Sequence, residues 1–312
     1  MATMKTLNGY GFNATELNGK AASDYLQKTD TATNSAKLGG KAPEYYIQPR
    51  NLLDNSDFRN PVNQRGQTSY TGGGYSIDRW ILGVSPVIVN VLGDGIEITG
   101  GDSTYNAPYV QKVPENLTGK TVTLAICDSD GVITTVTGAV QTDSACTTNT
   151  AWGSITFYHS SSDGTLWAQI NVNYGGSKIF HWAALYEGSY TAETLPPYVP
   201  KGYAAELAEC QRYYELLNDG CSQFIRPYNS QYIAIAVEYQ TKRVTPTISV
   251  KGSLTNALIA AGVGSATPTS IEADVYSTGK KSARINVAGS PDTSNMYSIN
   301  YYVVKLEINA DL

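Results

Sequence analysis

The first fifty residues contain one unit written twice, and this repetition restricts the fold of that segment more than any other feature of the chain. Asn13-Ala-Thr-Glu-Leu-Asn-Gly-Lys-Ala-Ala-Ser-Asp-Tyr-Leu-Gln27 returns as Asn34-Ser-Ala-Lys-Leu-Gly-Gly-Lys-Ala-Pro-Glu-Tyr-Tyr-Ile-Gln48. Repeated units are stable when stacked on neighbours. Each copy offers only Leu17, Tyr25 and Leu26, or Leu38, Tyr46 and Ile47, for burial. Segments below about 40 residues usually need disulfides, metal or oligomerisation to fold. No cysteine precedes Cys127, so association with further copies of the chain is the economical solution. Within the unit, Lys20 to Leu26 can make two helical turns, Asp30 can cap a short helix to Leu38, and Gly39-Gly40 can stop it. Pro43 and Pro49 interrupt the rest of the segment. Residues 1–50 are therefore read as a shaft of short helices joined by glycine turns.

The remaining sequence is β in character. Apolar alternation runs through Val87, Val89 and Val91, then Thr121 to Ile126, Ser154 to His159 and Leu166 to Val172, with Gly, Asp or Ser at the breaks. Short, regularly spaced strands of this kind predict a sandwich or jelly roll over residues 51–200, closed by Pro196-Pro197-Tyr198-Val199-Pro200. A connecting helix is predicted in 201–219. There Tyr203, Leu207, Cys210, Tyr214 and Leu217 step by four, three, four and three, and Glu206, Glu209 and Arg212 lie off that stripe. The stripe fits packing on a neighbouring sheet and a seam on a threefold axis equally. Residues 220–312 read as a second β-domain, with Ile233, Ile235 and Val237 alternating and Tyr302, Val304, Leu306 and Ile308 on one face of the last strand.

Charged residues make up 16% of the 312, against roughly 25% in a typical soluble domain. Tyr, at 23, takes up much of the surface role, together with Ser, Thr, Asn and Gly. Recognition surfaces favour that palette. The net charge of −5 supplies no basic patch for phosphate backbones, so nucleic acid is not an expected partner. No stretch approaches the ~20 apolar residues of a membrane span, and Met1 to Tyr10 lacks the apolar core of a signal peptide. Cys127, Cys146, Cys210 and Cys221 form no Cys-x-x-Cys pair and are read as buried free thiols of a protein folded in a reducing cytoplasm.

Catalytic signatures are sparse. His159 and His181 are the only histidines, and neither stands in a metal-binding spacing. No G-x-S-x-G elbow is present, and Gly72-Gly73-Gly74 lacks the Lys-Ser/Thr of a phosphate loop. A calcium site among Asp54, Asp57, Asp94, Glu97 and Asp102 competes with the commoner reading of solvated turn acids. No metal, no cofactor and no enzymatic activity are expected.

The strand faces say more. In Leu166 to Asn173 the apolar set Leu166, Ala168, Ile170 and Val172 turns Trp167, Gln169, Asn171 and Asn173 to the other side. In Trp152 to His159 the set Ile155 and Phe157 likewise leaves Trp152, Thr156 and Tyr158 opposite. Trp152, Tyr158, Trp167, Gln169 and Asn171 thus combine indoles and a phenol with amides, which suits a sugar ring. The same face also suits contact with the next protomer or ordinary packing.

The Leu-x-Gly-Lys-Ala-x-x-Tyr core of the repeat resembles the shaft repeats of bacteriophage tail fibres and related contractile-tail particles. Asn51-Leu-Leu-Asp-Asn-Ser-Asp-Phe58 with Ile77-Asp-Arg-Trp80 is similar to the opening of a tail-fibre jelly roll of carbohydrate-binding type. His181-Trp-Ala-Ala-Leu-Tyr-Glu-Gly188, Leu195-Pro-Pro-Tyr198 and Glu206-Leu-Ala-Glu-Cys-Gln-Arg-Tyr-Tyr214 are similar to the closing strand and following helix of those proteins. The resemblance implies a homotrimeric, non-catalytic receptor-binding fibre with Tyr203, Leu207, Cys210, Tyr214 and Leu217 as trimer seam. It would join other tail or baseplate proteins through its N-terminal end, be assembled in the bacterial host cytoplasm, and act outside the cell from the virion tail. Its partner would be a bacterial surface glycan or protein, without membrane insertion. The alternatives are a polysaccharide depolymerase tailspike and a structural baseplate or fibre connector. In such fibres the distal end is usually the C-terminal one, which makes Arg226, Tyr228, Asn229, Tyr276, Lys280 and Tyr297 candidate tip residues.

Overall fold

The structure is a computed structural model. It describes residues 16–17, 20–21, 49–83, 87–100, 108–217, 226–227, 232–251, 258–260, 265–266, 268–274, 282–289, 299–301 and 305–311. Among these, residues 16–21, 226–237 and 250–305 are described by their backbone alone. The chain divides into two units, Met1–Pro49 and Arg50–Leu312.

In the first unit, β1 (Glu16–Leu17) pairs antiparallel with β2 (Lys20–Ala21). Lys20 and Ala21 therefore stand in a strand, where the sequence predicted the start of a helix. The dipeptide separating the strands is Asn18-Gly19, the pair most favoured in two-residue hairpins, and that local preference outweighs the helical reading. The helix predicted from Asp30 to Leu38 lies outside the described residues.

The second unit opens with a β-sandwich. One antiparallel sheet has the order β10 (Ile133–Ala139), β9 (Thr121–Asp128), β14 (Ser177–Glu187), β7 (Ile96–Thr99), β6 (Ile88–Val91), β3 (Ser69–Thr71). The other has the order β11 (Ala145–Asn149), β12 (Gly153–His159), β13 (Leu166–Val172), β8 (Tyr109–Val113), β5 (Trp80–Leu82), β4 (Gly74–Tyr75). The chain crosses repeatedly between the sheets, so neither can form alone. Val122, Leu124 and Ile126 of β9 meet Ile155 and Phe157 of β12 and Leu166, Ala168, Ile170 and Val172 of β13 in one core. Full burial of such side chains is worth roughly 1.5–3 kcal/mol each, and a slip of one residue would expose every one of them, so burial fixes the register. At one end of the core Trp80 stacks on Tyr109 at 4.9 Å, with Phe58 edge-on at 5.1 Å.

The outward faces of the two sheets are treated differently. On the first, Ala125, Cys127, Trp182, Ala184 and Tyr186 form a second apolar cluster with Leu195, Tyr190 and Tyr198. The segment after β14 thus folds back as a strap, and Tyr198 lies flat on Trp182 at 4.5 Å with the planes 2° apart. The Thr123 hydroxyl pins the strap by donating to Gly188 O and accepting from Tyr190 N.

The strap leads into α1 (Tyr203–Cys210). The predicted helix from Tyr203 to Leu217 is thereby shortened: after a turn the chain enters β15 (Tyr214–Leu217). The continuous helical seam is not formed, because its last two members sit on a strand. β15 pairs with β24 (Lys305–Asn309), which also pairs with β18 (Thr247–Lys251). Two further antiparallel sheets complete the described part: β16 (Arg226–Pro227), β17 (Tyr232–Glu238), β22 (Ser282–Gly289) and β21 (Pro268–Asp274); then β20 (Ser265–Ala266), β19 (Leu258–Ala260) and β23 (Ile299–Tyr301). The protein is mainly β with a single described helix.

Candidate functional site

Among the described residues, no strap lies on the outward face of the second sheet. Its centre is built from three cross-strand rungs between β12 and β13: Tyr158 opposite Trp167, Thr156 opposite Gln169, and Ser154 opposite Asn171. At about 3.4 Å per residue the rungs form a strip on the order of 14 Å long, aromatic at one end and hydroxyl–amide along the rest. The alternation predicted for β13 holds: Leu166, Ala168, Ile170 and Val172 are buried, and Trp167, Gln169 and Asn171 remain half-buried on the outside.

Trp152 departs from the expectation. It lies in the tight β11–β12 hairpin, where strand alternation does not reach, and its ring packs inward on Phe180 at 5.0 Å, edge-to-face. The next residue, Gly153, has φ +152°, and a Cβ there would stand 1.9 Å from Asn171 O. Only glycine allows β12 to approach β13 this closely.

Most polar atoms around the aromatic rung are tied down. Trp167 Nε1 donates to Thr165 Oγ1 (2.9 Å), Thr165 Oγ1 donates to Asp163 Oδ1 (2.7 Å), and Lys112 Nζ donates to Asp163 Oδ2 (2.9 Å). The Lys112 ammonium also lies over the Trp167 ring, 4.9 Å from its centroid. Tyr158 OH donates to Asp143 Oδ1 (3.0 Å) and meets Trp167 edge-on at 6.3 Å. Partial burial alone would raise the Asp163 carboxyl, but the hydrogen bonds from Lys112 and Thr165 outweigh it and hold the group down to about 2. Asp143 is lowered by the Ser161 hydrogen bonds and by Tyr158, whose own hydroxyl is raised by the same bond. Thr156 pairs with Thr147 (3.0 Å), and Asn171 Nδ2 donates to Ser154 Oγ (3.3 Å). Among the described residues, no protein group hydrogen-bonds to the Gln169 amide. The arrangement offers an oriented aromatic edge beside an uncommitted amide.

The other predicted positions are dispersed. In the proposed seam Tyr203 is 47% exposed, Leu207 and Leu217 are half-buried, and Cys210 and Tyr214 are buried inside the chain's own structure. Of the tip residues, Arg226 is described by its backbone in β16, while Tyr228, Asn229, Tyr276, Lys280 and Tyr297 lie outside the described residues. Asp54 pairs with Arg79 and Lys201, Asp57 pairs with Arg59, and Glu97 accepts from Asn90 and Ser177. Asp94 stands exposed in a turn, and Asp102 lies outside the described residues. Among the described residues, no three His, Cys, Asp or Glu side chains gather to hold a metal.

What sequence patterns did not anticipate is that the resembling segments meet. Asn55, held at φ 50°, accepts Val62 N (2.7 Å), donates to Val62 O (2.8 Å) and Asp78 O (2.7 Å), and receives Trp80 Nε1 on its carbonyl (2.9 Å). Its own N–H donates to Glu206. Glu206, read as lying off the helix's buried stripe, is therefore a half-buried anchor; burial raises its carboxyl, against the Asn55 hydrogen bond and Lys201. Arg79, with its side chain 1% exposed, pairs with Asp54 (3.3 Å), donates to Lys112 O (2.8 Å) and lies over the Tyr213 ring at 3.5 Å. Arg65 bridges Asp78 (3.0 Å) and Asp311 (2.8 Å) and lies over Tyr214 at 3.7 Å. The only sequence signal for this hub was the unusual density of Asn, Asp and Arg in segments otherwise destined for burial.

No protein-family model matches the chain, and neither a curated protein nor a solved structure matches it.

Proposed function

We propose that this chain is a homotrimeric, non-catalytic attachment protein of a phage tail or phage-tail-like particle, and that the β12–β13 face of its β-sandwich binds a bacterial surface glycan. The observation that carries the reading is the Tyr158–Trp167 rung, fixed by its own hydrogen bonds beside the Gln169 amide, which has no hydrogen-bond partner among the described residues. Sugars present an apolar CH face and hydroxyls together, and a restrained aromatic next to an amide meets both at little entropic cost. The carboxylates flanking the rung, Asp143 and Asp163, already accept hydrogen bonds from protein groups, which suits binding better than acid–base work. Trimerisation is supported by the repeat, whose units lack a core of their own, and three weak sites on one particle act together through effective concentration. The particle's tail or baseplate proteins would be met at the N-terminal end.

The test is attachment to host cells by the intact chain. Trp167→Ala should weaken binding at least tenfold, about 1.4 kcal/mol, while light scattering still reports three times the 33.5 kDa chain mass. Binding that survives Trp167→Ala but disappears with Tyr228→Ala and Tyr297→Ala would move recognition to the C-terminal tip. Shortened glycan chains after incubation would establish a depolymerase instead, and capture of tail proteins without any cell binding would establish a connector.

A further inference from the structure

An open cleft of about 540 Å³ separates the sandwich edge from the β15–β24 strand pair, lined by Arg65, Gln67, Ser69, Thr71, Tyr75 and Glu307 among others. This falls in the range of roughly 300–1,000 Å³ that small-molecule sites occupy. Ser69 and Thr71, two residues apart on β3, present both hydroxyls on the solvent side while Tyr70 between them is buried. The wall turns at Gly72, Gly73 and Gly74, whose φ values of +88°, +83° and +92° only glycine adopts without strain.

The chemistry of the lining selects a ligand. Both charges are already engaged: Arg65 commits its guanidinium to Asp78 and Asp311, and Glu307 accepts the Ser249 hydroxyl at 2.9 Å. The side chains of Gln67, Ser69 and Thr71 have no hydrogen-bond partner among the described residues. Tyr75, held 5.1 Å from the Arg65 guanidinium, supplies a ring, and Leu82 and Leu216 supply apolar surface. The uncommitted polar capacity is thus neutral, hydroxyls and an amide, beside a Tyr75 ring that the Arg65 guanidinium already overlies. An anion would find Arg65 occupied, and a cation would displace it from two carboxylates.

We infer that this cleft is a second saccharide subsite, distinct from the strip on β12–β13, that takes an uncharged sugar unit. The inference rests on reading the chain as a glycan-binding protein, and it makes each chain bivalent.

Calorimetric titration of the full chain against uncharged hexose and N-acetylhexosamine oligosaccharides, and against uronate-bearing ones of equal length, tests it. Two uncharged ligands should bind per chain. Ser69→Ala with Thr71→Val changes exposed, unpartnered side chains, so the melting temperature should hold while one of the two sites weakens at least tenfold. Trp167→Ala should remove the other site. Unchanged binding in the Ser69/Thr71 variant, with all binding lost in Trp167→Ala, overturns the cleft and leaves the sandwich face standing. Loss of all binding in the cleft variant with none in Trp167→Ala keeps the cleft and overturns the face. Preference for the uronate ligands, or no uncharged ligand bound at all, overturns the cleft.

Discussion

The two outward faces of the sandwich each carry a tryptophan on a strand, and the chain treats them oppositely. Trp182 on β14 is 7% exposed, stacked under Tyr198 and surrounded by Ala125, Ala184 and Leu195. Trp167 on β13 stays half-buried, with its polar atom satisfied by a neighbouring threonine and nothing from the strap upon it. An outward aromatic is therefore no sign of a binding face by itself. The distinction lies in what the chain does afterwards: it packs Tyr190, Leu195 and Tyr198 of the 190–200 segment on one sheet, and among the described residues no such strap lies on the other.

The largest expected effect falls on the covered face. Trp182→Ala removes a fully packed indole and leaves Tyr198 without a platform, which should cost about 3–5 kcal/mol. For a unit of this size that lowers the melting temperature by on the order of 10 °C. A shift as small as that of a surface substitution would mean that the strap lies loose on the sheet.

A smaller loss is expected at the clamp on the downstream end of the strap. Glu206→Ala leaves the Asn55 N–H without its acceptor and removes one of the two carboxylates beside Lys201, which keeps Asp54, a loss of roughly 1–3 kcal/mol. The urea midpoint should fall while Glu209→Ala barely moves it; equal midpoints would show that the helix is not anchored to the sandwich.

The same junction should respond to pH. Burial pushes the Asp78 carboxyl up to about 6 from 3.8, against the opposing pull of Arg65 and of the Gln64 hydrogen bonds. Asp311 is raised too, chiefly by burial, so two buried carboxylates share one guanidinium. A carboxyl with a raised folded-state value binds its proton more tightly in the native state, so stability is gained as pH falls from 7 toward 4 and lost as it rises through 6. The melting temperature should climb by a few degrees between pH 7 and pH 5, and Asp78→Asn should flatten that slope. A melting temperature that falls over this interval, equally in both proteins, would show that Asp78 does not set the slope.

The smallest stability effect belongs to the β12–β13 face. Trp167→Ala should change unfolding free energy by less than about 1 kcal/mol, as surface substitutions usually do, while attachment to cells weakens. If it destabilises as strongly as Trp182→Ala, the two faces are both structural and the contrast collapses.

Local periodicity was legible in the amino-acid order alone, and it was enough for the strands. The alternation in β13 assigned four residues to the core and three to the outside correctly, because burial on one face of a pleated strand leaves no other register. Mainly β architecture came from the same signal, repeated along the chain. Periodicity said nothing once a residue left its strand: Trp152 belongs to a hairpin, so its neighbours' parity did not apply and its ring turned into the core. The stripe from Tyr203 to Leu217 matched helical spacing, yet α1 stops at Cys210 and the continuation pairs with β24 some ninety residues later. A ladder of backbone hydrogen bonds to a distant strand outweighed a local propensity that two heptads hold only weakly. Three-dimensional packing settled which face the strap covers, which charges share the Arg65 and Arg79 hub, and that Gln169 has no partner among the described residues. Those outcomes depend on residues far apart in the chain, and no local pattern encodes the distance between them.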